Sequence, residues 1–108
     1  MTRSKFFIRQ GILVGFELRG HSGFGCFGRD IVCAAVSSAA LMTANTITEI
    51  MGVPADIQER EGFLRVILTD SQANRCRDVL EGFRLHLSEM QKQYPHNIKV
   101  IYGGVTNA

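Results

Sequence analysis

His21 and Cys33 stand twelve residues apart, a spacing that brings together two side chains able to share a proton. Between them runs Gly20-His21-Ser22-Gly23-Phe24-Gly25-Cys26-Phe27-Gly28-Arg29-Asp30-Ile31-Val32-Cys33, a glycine-punctuated loop that ends at an acidic residue. A thiol that acts as a nucleophile needs a base to ionise it and a positive environment to hold the thiolate. His21 supplies a base. If Asp30 caps a helix, Cys33 is its third residue, beside the unpaired amides and the positive end of the helix dipole. Those amides, with glycine amides of the loop, are also suited to hold the oxyanion of an acyl-transfer intermediate, while His21 takes the thiol proton and later returns it to the leaving amine. Asp30 has two competing roles: capping the helix through the Cys33 amide, or turning toward His21 to fix its tautomer.

The same residues also admit other roles. A cysteine on an alanine-rich helix is commonly a small buried hydrophobe. Cys76 fits that description, falling on an apolar stripe, whereas Cys26 lies in the loop and can bridge to Cys33 under oxidation. A zinc site built on His21, Cys26 and Cys33 lacks both the paired Cys-x-x-Cys spacing and a fourth ligand. His86 and His96 are expected in solvent. The literal dinucleotide-binding pattern Gly23-Phe24-Gly25-Cys26-Phe27-Gly28 requires an acidic residue at the end of a following strand. Glu49 has the distance but falls inside a predicted helix, and there is no Gly-Lys-Ser/Thr for a phosphate loop. The glycines are better read as a loop that closes over a ligand, with no cofactor and no metal expected.

The elements that must position these residues follow from periodicity and turn chemistry. Residues 5–9 and 13–19 read as strands joined at Gln10-Gly11. In the second, Val14, Phe16 and Leu18 alternate with Leu13, Gly15, Glu17 and Arg19. A helix is predicted from Asp30 to about Met51, stopped by Gly52 and Pro54. Its alanines, 34, 35, 39, 40 and 44, suit a buried core helix, a dimer contact, or both on different faces. Residues 55–60 and 63–69 form a predicted hairpin around Glu61-Gly62. Asp70 or Ser71 is then expected to cap a second helix to about Tyr94, with Cys76, Val79, Leu80, Phe83, Leu87, Met90 and Tyr94 as its apolar stripe. Pro95 stops it, residues 98–102 form a last strand, and a loose tail follows. The order β-β-α-β-β-α-β implies an α+β fold, a mostly antiparallel sheet sandwiched with two helices.

Length and composition bound the rest. A chain of 108 residues, 45% hydrophobic and 20% charged, is expected to be one folded domain spanning 1–108. The net charge of +2, with basic residues spread along the chain, argues for no nucleic-acid arm and requires no direct nucleic acid, while leaving transient contact with a ribosome or RNA open. Residues 31–51 are interrupted by Ser37, Ser38, Thr43, Asn45, Thr46, Thr48 and Glu49 and read as too polar for a membrane span. The N-terminus does not read as a signal peptide. The three cysteines are therefore expected as thiols, in a cytoplasmic protein.

The combined motif Gly20-His21-Ser22-Gly23-Phe24-Gly25, then Gly28, then Asp30-Ile31-Val32-Cys33-Ala34-Ala35-Val36-Ser37 resembles the ribosomal-processing cysteine proteases of the Prp family. The length, element order and glycine-rich loop agree over essentially the whole chain. The resemblance implies a cysteine endopeptidase that removes a short N-terminal extension from large-subunit ribosomal protein twenty-seven, cutting after a bulky apolar residue, typically Phe. It also implies a homodimer. On the motif, the nucleophile falls on Cys33, the base on His21, the acidic residue on Asp30, and the serine one turn later on Ser37. The substrate is held under the loop of Gly20, Ser22, Gly23, Phe24, Gly25, Phe27 and Gly28, where Phe24 and Phe27 are expected to shape the apolar pocket or to pack the loop onto the body. Cys26 departs from the pattern, occupying a loop site that is usually polar or charged. The rival reading is a non-enzymatic, ribosome-associated binding module, which would need no reactive thiol.

Overall fold

The computed structural model describes residues 1–20 and 31–105. Strands β1 (Thr2–Arg9) and β2 (Ile12–Arg19) pair antiparallel through a turn in which Gln10 and Gly11 take positive φ of 51° and 78°. Two successive positive-φ residues match the right-handed twist of the strands they join. β3 (Asp56–Arg60) and β4 (Phe63–Ile67) form the second hairpin, turning at Gly62 (φ 75°), and β5 (Ile98–Gly103) completes a sheet of order β3-β4-β2-β1-β5. All pairings are antiparallel except β1 with β5, which is parallel. β1 begins earlier than its own sequence suggests because β5 holds it: the Thr2 amide donates to the Asn97 carbonyl at 2.9 Å. β4 ends earlier than expected because Leu68 turns onto the Val14 carbonyl and Thr69 starts a helix.

The α1 helix (Ile31–Asn45) continues into a wider π-helical turn, Thr46–Ile50, and stops at Gly52, whose φ of 67° suits the residue beyond a helix end. Val32, Cys33, Val36, Ser37, Ala40, Thr43, Ala44 and Ile47 are buried, while Ile31, Ala34, Ala35, Ser38, Leu41, Met42 and Asn45 are exposed. The helix is therefore a core element on one face and bare on the other. By length and composition, Ile31–Ile50 is apolar enough to cross a membrane, against the expectation drawn from its polar residues. Its threonines return their hydroxyls to the preceding turn, from Thr43 to the Ala39 carbonyl, Thr46 to Met42 and Thr48 to Ala44. They thus interrupt the apolar surface less than their identity implies, and the inner face spends that apolarity on the core.

One expected helix is two. α2 (Asp70–Arg75) and α3 (Arg77–Gln93) are separated at Cys76, whose φ of −99° and ψ of 11° leave the helical region. The cap is Thr69 rather than Asp70 or Ser71: its hydroxyl accepts from the Gln72 amide, and the Gln72 side chain accepts from the Thr69 amide. Gln72 also donates to the Pro54 carbonyl, and Arg75 to Met51, tying α2 to the segment after α1. α3 lays Leu80, Phe83, Leu87 and Met90 on the sheet. There the ring of Phe83 meets Phe16 at 4.8 Å and Phe6 at 5.5 Å, both edge-on. The fold class is α+β, as expected, with the helices covering the sheet face that carries Phe6, Phe16, Leu18, Leu64 and Val66.

Candidate active site

The site is framed by the end of β2 and the start of α1. β2 finishes at Arg19, and the next residue, Gly20, is clasped to the β3–β4 turn through its amide, 3.1 Å from the Gly62 carbonyl. His21, Ser22, Gly23, Phe24, Gly25, Cys26, Phe27, Gly28 and Asp30 lie outside the described residues. The structure thus gives the anchor before that segment and the helix after it.

α1 begins at Ile31, so Cys33 is its third residue, the position the spacing predicts. The first-turn amides of a helix have no carbonyl partners within it, and they carry the positive end of the dipole. The first turn of the helix itself, from Ile31 on, holds no acidic residue. Cys33 is only 2% exposed and lies on the inner face of the helix. Ser37, four residues on and therefore on the same face, is also buried. Against the expectation of three thiols, Cys33 is disulfide-bonded, whereas Cys76 is a buried free thiol. Burial pushes the Cys76 thiol above its ordinary value, and the charge of Arg75 opposes that shift. The two described cysteines therefore differ in kind: one lies at a helix N-terminus, the other is an inert member of the core.

His86 and His96 are exposed, as expected. A groove of about 480 Å³ runs between α1 and α3, lined by Ala39, Met42, Thr43, Val79, Gly82 and Phe83 among others. It starts more than a turn beyond Cys33, so it does not contain the candidate thiol. A second hollow, about 350 Å³, adjoins Gly20 and is lined by Arg3, Arg19, Arg60 and Phe63. Sequence reading missed it, because those four residues come from four different strands and meet only through the register.

The family model described as cysteine protease Prp matches residues 1–99. The chain belongs to that family. Among curated relatives, the ribosomal processing cysteine protease Prp of Bacillus subtilis (strain 168) is 29% identical over 97 residues, covering 84% of this chain and 86% of its own length. The Prp protease of Staphylococcus aureus (strain Mu50 / ATCC 700699) is 24% identical over 95 residues, covering 86% of this chain and 90% of its own. Among solved structures, SMU.848 from Streptococcus mutans superposes with a TM-score of 0.81 at 27% identity, over 97% of this chain and 96% of that one. An essential ribosomal processing protease Prp from S. aureus, crystallised with a substrate peptide, gives 0.78 at 22% identity over 94% and 99%. As a member of the Prp family the chain is a cysteine protease, a hydrolase. That membership overturns the rival reading of a non-enzymatic module.

Proposed function

We propose that this protein is the endopeptidase that removes the N-terminal extension of large-subunit ribosomal protein twenty-seven, cutting after a bulky apolar residue such as Phe. The observation that carries the reading is the place of Cys33, third in α1 and directly after a glycine-rich segment, in a chain matched by the Prp family over residues 1–99. Its relatives are named for ribosomal processing, and one was crystallised with a substrate peptide.

In this reading Cys33 attacks the scissile carbonyl, and His21 first accepts the thiol proton and then donates it to the leaving amine. The oxyanion is held by the unpaired amides at the start of α1. Asp30 orients His21 or caps the helix. The loop of Gly20, Ser22, Gly23, Phe24, Gly25, Phe27 and Gly28 closes over the peptide, with Ser37 one turn below the thiol. A disulfide at Cys33 blocks the attack, so the active form is the reduced one.

The enzyme works as a homodimer in the cytoplasm. Supporting the dimer is the bare outer face of α1, where Ile31 is 71% and Met42 67% exposed and Ala34, Ala35 and Ser38 leave room for a second backbone. The test is incubation of the reduced protein with the N-terminally extended ribosomal protein, read by intact mass beside Cys33→Ala and His21→Ala. A single trimmed product from the wild type alone is expected. Cleavage by Cys33→Ala at the wild-type rate would remove the thiol from the mechanism, and full activity of His21→Ala would remove the base.

A further inference from the structure

A net charge of +2 conceals an uneven distribution. The strand register sets one cross-strand row across all five strands: Lys99 opposite Arg3, Arg3 opposite Arg19, Arg19 opposite Phe63, and Phe63 opposite Arg60. Alternate residues of a strand share a face. The next row on this face is therefore Ile101, Lys5, Glu17, Arg65 and Gln58, and Asp56 follows Gln58 on β3. Six of the chain's 12 lysines and arginines thus lie on the sheet face turned away from the helices, against the carboxylates of Glu17 and Asp56. At the usual strand spacing the first row spans about 19 Å.

The aromatic rings of this face are roofed by cations, while Ile101 beside Lys5 is exposed. Arg60 lies 4.0 Å and Arg19 4.9 Å from the ring of Phe63, and Arg65 and Lys5 stand 5.3 Å and 5.4 Å from the ring of Phe7. Both rings are buried as a result, Phe7 at 2% and Phe63 at 5% exposure. Arg19 pairs with Glu17, but Arg3, Lys5, Arg60, Arg65 and Lys99 form no ion pair among the described residues. The Nε of Arg65 has no acceptor either.

We propose that this sheet face binds the backbone of single-stranded RNA. Rows of unpaired cations match a polyanion. A guanidinium lying on a ring turns its outer plane to the solvent, where an unstacked base can lie on it. A lipid surface is served less well, because the rings that would insert are covered. A second copy of the same face would meet like charge. The inference does not depend on the role given to Cys33.

The experiment is fluorescence anisotropy of a short fluorescein-labelled oligouridylate titrated with reduced protein between about 50 and 200 mM salt. The compared variants are Arg3→Gln/Arg60→Gln and, as a control of equal net charge, Arg84→Gln/Lys92→Gln on α3. Both pairs are surface substitutions, and circular dichroism verifies that both fold. Wild type and the α3 control should bind alike, with affinity falling linearly on a log–log salt plot. The sheet-face variant should lose about tenfold at low salt and about 1.4 from the slope, near 0.7 for each phosphate contact removed. Three results overturn the proposal. They are no saturable binding at low salt, equal weakening by both double variants, or tighter binding to phosphatidylserine vesicles than to the oligouridylate, which would make the face a lipid surface.

Discussion

Replacing Gly15 with Ala should be among the costliest single-methyl changes this protein can suffer. Gly15 sits in the middle of β2, opposite Ile67 of β4 and Phe7 of β1. A Cβ there would lie 2.0 Å from the Val66 carbonyl oxygen and 3.0 Å from its carbon, both backbone atoms. Carbon and oxygen approach ordinarily to about 3.3 Å, so β2 and β4 must part by roughly 1 Å. The neighbouring bond from the Leu68 amide to the Val14 carbonyl is 2.8 Å, and that displacement carries it past hydrogen-bonding range. Loss of one or two such bonds at about 1 kcal/mol each, with about 1–3 kcal/mol for overpacking, gives a destabilisation of roughly 2–5 kcal/mol. Total stabilities of small domains are about 5–15 kcal/mol, so the change is easily read in a urea titration as a lower midpoint at unchanged slope. The matched control is Gly82→Ala on α3, where a Cβ meets nothing within 4 Å. It should stabilise by up to about 1 kcal/mol, as alanine does over glycine in a helix. A Gly15→Ala midpoint within about 0.5 kcal/mol of wild type would refute the argument from strand separation.

Three other outcomes are expected. Peptidase activity should require a thiol reductant, and Cys26→Ser should remain active after exposure to oxidant; inactivation of that variant at the wild-type rate would exclude a Cys26–Cys33 bridge as the cause. Because burial raises the Cys76 pKa in the folded state, its contribution to stability is present below the ordinary 9.0 and is lost as pH rises beyond it. Thermal melts should therefore fall more steeply above that pH in the wild type than in Cys76→Ala, and parallel curves would contradict this. If the protein pairs through the bare face of α1 as proposed, the wild type should sediment as a dimer and Met42→Glu, with its fold retained, should shift it toward monomer; a monomeric wild type or an unchanged dimer would contradict that interface.

Local chemistry made much of this legible in the sequence. Gln10-Gly11 and Glu61-Gly62 mark their turns by residue type alone, and Gly52 marks the end of the α1 segment. The alternation in β2 names its buried face, and helix spacing puts Cys33 third in α1. What escaped depends on partners far away in sequence. The break at Cys76 has neither Gly nor Pro to announce it; it accompanies a capping box at Thr69 and ties from Gln72 and Arg75 to carbonyls near Gly52. The early start of β1 is set by β5. The cationic row was invisible for the same reason, since Arg3, Arg19, Arg60 and Lys99 are scattered along the chain and become neighbours only in register. For the candidate site, Gly20, Cys33 and Ser37 have described positions, and His21 and Asp30 rest on the motif.

The parallel pairing of β1 with β5 also has a consequence in time. The Ser4 hydroxyl donates to the Lys99 carbonyl 95 residues away, so β1 waits for nearly the whole chain before its second edge is covered. Contacts of such separation cannot help until a long loop has closed, and they slow folding accordingly. On the ribosome, β1, β2 and α1 emerge first but lack the strand that completes their sheet. The five-stranded sheet is therefore finished only after Ile98–Gly103 has been made and has paired with β1.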